Sequence, residues 1–63
     1  MAEKMLKYYK HVGNINGLAG KMKLAQITKI PSTKAAMAPD SPQNIAAFKK
    51  AVQEVTGKPT PSF

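Results

Sequence analysis

The chain contains no cysteine, no arginine and no tryptophan, and only three acidic residues, Glu3, Asp40 and Glu54. Without cysteine there is no disulfide and no thiolate metal site, so the usual supports of a very small fold are missing. At 63 residues the chain makes one domain at most, and such a chain buries only about 60% of the surface its unfolded form exposes. Stability drawn from the core alone is therefore marginal, and partner binding or homo-oligomer formation is an expectation. The absence of cysteine fits a reducing compartment. The first residues, MAEKMLKYYK, lack the apolar core of a secretory leader because Lys4, Lys7 and Lys10 interrupt them, so a cytoplasmic location is expected. No apolar run approaches the ~18 residues of a transmembrane segment.

Groups for chemistry are equally scarce. One histidine, His11, titrates near neutrality, and nothing in the spacing brings a nucleophile and an orienting acid to it. His11 reads instead as a surface residue near a helix end. One imidazole and three scattered acids do not make a tetrahedral metal site, so neither an enzyme nor a bound cofactor is expected. Gly17-Leu18-Ala19-Gly20-Lys21 has glycines and a lysine but neither the Walker spacing nor a Ser or Thr after the lysine. Its glycines are expected to let two helices meet closely, with an anion bound there only incidentally.

What the chain does have is positive charge. Ten lysines against three acids give a formal net charge of +7, which points to an acidic partner. Lysine attracts phosphates as a point charge and lacks the planar fork with which arginine reads guanine edges or clamps phosphate. An all-lysine set therefore suits a phosphate backbone, an anionic membrane or an acidic protein face better than sequence readout.

Periodicity predicts an all-α fold, a small bundle of three main helices, as a single helical domain over 1–57 followed by an extended, Pro-containing tail over 58–63. The clearest helix spans 42–56. Asp40 or Ser41 caps it, Pro42 sits in its first turn, Ile45, Phe48, Val52 and Val55 form its apolar stripe, and Gly57 closes it in a left-handed conformation. A first helix over 2–12 places Met5, Tyr9 and Val12 on one face, and 13–17 is read as a helix-to-helix connection. A second helix spans 18–29, with Leu18, Met22 and Ala25 apolar and Leu24 and Ile27 slightly rotated from them. Pro31 ends it, and 32–38 is expected as an additional short helix behind Ser32 or as an ordered loop. The expected core is Met5, Tyr9, Val12, Leu18, Met22, Ala25, Ile27, Ile45, Phe48, Val52 and Val55.

The stretch from Lys23 to Ala36 resembles the helix-turn-helix of phage-repressor-like DNA-binding domains. Leu24-Ala25 occupies the inner face of the first helix, Ile30 the aliphatic position after the turn, and Ser32-Thr33-Lys34 the opening of the recognition helix. The resemblance implies a buried Ala35 and nucleic-acid contacts from Ser32, Thr33 and Lys34, and the lysines around the motif add Lys21, Lys23 and Lys29 as expected phosphate contacts. Two departures stand out. Lys29 occupies the turn position where the family favours glycine, and Pro39 limits the second helix to about two turns.

Nucleic acid is thus the favoured partner. The alternative is an adaptor or regulatory role on an acidic or hydrophobic protein face, through an exposed part of the stripe Ile45, Phe48, Val52 and Val55, or through Phe63. A membrane-surface role for the first helix, through Lys4, Lys7, Lys10 and Tyr8-Tyr9, ranks last.

Overall fold

Gly17 divides the longest helix into two arms. The computed structural model describes residues 3–61, with α1 over Glu3–Thr28, α2 over Ser32–Ala35 and α3 over Pro42–Thr56. A straight helix of the 26 residues of α1 would be about 39 Å long, whereas the greatest extent of the molecule is 25 Å. The chain bends at Gly17, whose φ of 68° and ψ of −158° lie in a region reserved almost entirely for glycine. The connection read from the sequence over 13–17 is thereby corrected. Residues 13–16 stay helical, and the turn is made at one glycine.

The second arm folds back tightly enough that Gly20 touches the first. A Cβ added to Gly20 would stand 2.5 Å from the Asn16 Cβ and 2.9 Å from Val12 Cγ1. The arms cross where only a hydrogen side chain fits, as expected for the glycines of this segment. A Cβ added to Gly13, by contrast, would first meet the flexible side chain of Lys21, with Cε at 2.4 Å.

α3 packs against α1 and supplies the second half of the core. It starts as its sequence dictates. The Asn44 amide donates to Ser41 Oγ (3.2 Å), Pro42 occupies the first turn, and Gly57 closes the helix at φ 69° with its amide donating to the Gln53 carbonyl (2.8 Å). Asp40 caps a different helix. Its Oδ2 accepts from the Lys4 amide (3.1 Å), placing a carboxylate at the N-terminus of α1, where the helix dipole favours it. The far end of the first arm is also tied to α3, because Asn16 Nδ2 donates to the Val55 carbonyl (2.9 Å).

The buried core consists of Met5, Tyr8, Tyr9, Val12, Leu24, Ala35, Phe48, Ala51 and Val52, with Ala25, Ile30, Ala38, Ile45 and Val55 packed at its edge. Phe48 meets both tyrosines, Tyr9 edge-on (centroids 5.6 Å apart, planes at 70°) and Tyr8 at 6.2 Å, arrangements that aromatic pairs favour. Three expected core residues are not in it. Leu18 is 72% exposed, Met22 65% and Ile27 39%, because the second arm turns Gly20, Leu24 and Thr28 inward instead. Beyond Gly57 the described residues, 58–61, are not helical, and Thr60 Oγ1 donates to the Lys49 carbonyl (2.6 Å), folding this segment back along α3.

Candidate nucleic-acid interface

The turn between the second arm and α2 is built around Lys29, the one non-glycine residue with positive φ (62°) among those described. Its amide still donates to the Ala25 carbonyl (2.9 Å), so the helix closes before the chain reverses. Thr28 completes the closure: its Oγ1 donates to the Leu24 carbonyl (2.7 Å) and accepts from the Ile30 amide (3.3 Å). The Tyr9 hydroxyl donates to the Ile30 carbonyl and fixes the turn to the first arm. Burial raises the Tyr9 pKa, and a hydrogen bond with Thr28 partly opposes the rise; burial also raises that of Tyr8. Pro31, with φ −65° and ψ 162°, then leads into α2.

Around this turn the inner positions implied by the helix-turn-helix resemblance are inside. Leu24 and Ala35 are fully buried, Ala25 and Ile30 lie at the edge of the core, and Ser32, Thr33 and Lys34 are exposed. The second helix of the pair departs from the resemblance. α2 is one turn of four residues, shorter than the two turns that Pro39 allowed, and Ser32 is its first residue, not its cap. Such a helix is too short to lie along a major groove and present successive side chains to bases.

All six candidate contacts, Lys21, Lys23, Lys29, Ser32, Thr33 and Lys34, are exposed, but they do not form one cluster. Lys23 and Lys29 line a common open groove of about 680 Å³ with Ala19, Met22, Ala25, Gln26 and Pro31. Ser32 follows directly on the Pro31 wall. Lys21 lies elsewhere: two residues from Lys23, it is turned about 200° around the helix, and its stem lies over Gly13. The groove has an apolar floor and no carboxylate among its lining residues. Sequence periodicity had assigned Met22 to the core, so this floor was not expected.

The alternative partner surface is corrected in part by the packing: Phe48 and Val52 are fully buried beneath α1, whereas Ile45 and Val55 are half-buried at the edge of the core. Phe63 lies outside the described residues. His11 is half-buried inside the first arm and not at its end, beside Lys7, Lys10 and Asn14. Among the described residues no three His, Cys, Asp or Glu side chains group as metal ligands, and no helix is long and apolar enough to cross a membrane. Compared with protein-family models, curated proteins and solved structures, the chain matches none.

Proposed function

We propose that the protein is a small, non-enzymatic, basic module that binds nucleic acid through the phosphate backbone. Lys23, Lys29 and Lys34 supply charge, and the Ser32 and Thr33 hydroxyls supply hydrogen bonds. The observation that carries this reading is the left-handed turn at Lys29, which buries Leu24 and Ala35 while leaving Ser32, Thr33 and Lys34 exposed, with Ser32 directly following Pro31 in the wall of the groove that Lys23 and Lys29 line. Holding a lysine at positive φ costs on the order of 1 kcal/mol relative to glycine, and a cation required at that position offsets the strain with function. With α2 only one turn long and no arginine in the chain, contacts to phosphate position the protein and base edges contribute little. Binding is accordingly tolerant of sequence.

The test is a titration with duplex DNA and with duplex RNA across a salt series. Three neutralised phosphates give a slope of log affinity against log salt of roughly −2.7. Replacing Lys23, Lys29 and Lys34 together by glutamine should remove most of that slope, whereas replacing Lys49 and Lys50 of α3 should leave the larger part. Absence of binding at low salt overturns the nucleic-acid reading. Undiminished binding by the triple variant overturns the assignment of the face.

A further inference from the structure

The second arm exposes two large apolar side chains on one helical face, Leu18 at 72% and Met22 at 65%. They are four residues apart, one turn along the same side. Met22 also contributes to the groove floor with Ala19 and Ala25, while Lys23 and Lys29 stand in the lining and no acid does. The core is supplied from Gly20, Leu24 and Thr28 on another side of this arm, and among the described residues Leu18 and Met22 stay exposed. A hydrophobic ridge bordered by cations is not needed for phosphate, which gains nothing from Leu18 or Met22. The formal +7 charge opposes a second copy of the chain as occupant.

We infer that this face is a docking site for an acidic amphipathic helix of a protein partner, whose apolar stripe lies on Leu18 and Met22 and whose flanking carboxylates meet Lys23 and Lys29. Recognition follows the helix-in-groove mode: apolar anchors one turn apart give affinity, and opposite charge at the rim sets orientation and speed of encounter. Because Lys23 and Lys29 also belong to the phosphate-binding face of the proposed function, the docked helix displaces nucleic acid from that part of it. This regulatory consequence alone rests on the nucleic-acid reading; the docking itself does not.

The experiment uses the full chain and a fluorescent synthetic helical peptide with leucines on one face and glutamates flanking them, followed by anisotropy. Two control peptides carry glutamine for every glutamate, or serine for every leucine. The proposal expects binding to the acidic amphipathic peptide, and a loss of about tenfold or more, equivalent to roughly 1.4 kcal/mol, for each control peptide and for the variant Leu18→Gln/Met22→Gln. Both replaced residues are exposed, so the variant's circular dichroism should match that of the unaltered chain, and the single variant Leu18→Gln, outside the groove lining, should leave the affinity for duplex DNA unchanged. Peptide binding that ignores Leu18 and Met22, or that needs only the glutamates, overturns the proposal by reducing the surface to a general polyanion site. If the peptide docks as expected and DNA does not bind at all, the docking site stands and the proposed function falls. If both bind, competition between them is expected, and simultaneous binding overturns the shared use of Lys23 and Lys29.

Discussion

The Tyr9 hydroxyl donates to the Ile30 carbonyl across 21 residues of chain, while the ring of the same tyrosine meets the Phe48 ring edge-on. One side chain therefore joins the first arm of α1 to the turn after the second arm and to α3. Tyr9→Phe keeps the ring contact and removes the bond. A net loss of about 1 kcal/mol is expected, which for a domain of this size lowers Tm by roughly 4–8 °C. Thermal unfolding followed by circular dichroism checks it, and an unchanged Tm would show that the bond contributes nothing.

The same residue sets an alkaline limit. Burial raises the pKa of Tyr9 and of Tyr8 above the ordinary 10.0. In the unfolded chain the phenols ionise at their ordinary value, and in the folded chain only at higher pH. Their contribution is thus fully present below pH 10.0 and is lost as pH rises through the folded pKa. Denaturant midpoints measured on either side of that range should fall with pH, and should fall less for Tyr9→Phe.

Gly13 and Gly20 both lie in helical segments, yet alanine should act oppositely at the two. In either place it gains about 1 kcal/mol of helix propensity. At Gly20 the new Cβ meets Asn16 Cβ and Val12 Cγ1 at 2.5 and 2.9 Å, and overpacking of this kind costs about 1–3 kcal/mol, so Gly20→Ala is destabilising. At Gly13 the obstacle is the flexible end of Lys21, which swings aside, so Gly13→Ala is neutral or stabilising. Urea unfolding of the two variants decides it, and equal midpoints would contradict the close crossing of the arms.

Lys29→Gly separates charge from conformation. Glycine accepts the φ of 62° without strain, so the variant should be as stable as the unaltered chain, or more stable by up to about 1 kcal/mol. Its affinity for duplex DNA should nevertheless fall, and its salt slope should decrease by about 0.9. Unchanged affinity in a stable Lys29→Gly protein would remove Lys29 from the interface.

The rotation of the second arm is tested by paired truncations. Leu24→Ala removes a fully buried side chain and should cost about 2–5 kcal/mol, a large part of the few kcal/mol that hold a domain of this size. Leu18→Ala removes one that is 72% exposed and should change stability by less than about 0.5 kcal/mol. Similar losses at the two positions would mean that the arm presents a different face to the core.

These particulars show which parts of the fold were legible in the sequence. α3 was, because its signals are local: Ser41, Pro42 and Gly57 act within a few residues of where they stand. The second arm was read on the wrong face. Leu18, Met22 and Ala25 make a good apolar stripe, and the stripe that is actually buried begins with Gly20, a residue with no hydrophobic signature. Its burial depends on contact with Val12 and Asn16, which only the bend at Gly17 creates. The candidate site divides in the same way. That its residues would be exposed followed from their chemistry, and so did the burial of Ala35 from the helix-turn-helix resemblance. That Lys23 and Lys29 share a groove and Lys21 does not depends on helix rotation and on the bend, which no short window of sequence encodes.

The bonds at the two ends of the first arm, Lys4 to Asp40 and Asn16 to Val55, have a consequence for synthesis. That arm leaves the ribosome ahead of the groups that hold it, the Asp40 carboxylate, the Phe48 ring, Val52 and the Val55 carbonyl. A nascent chain stopped at Pro39 would carry Met5, Tyr8, Tyr9 and Val12 with nothing from α3 to cover them. The domain is thus expected to acquire its core late and in one step, once α3 has cleared the exit tunnel, and until then those four side chains are open to chaperones.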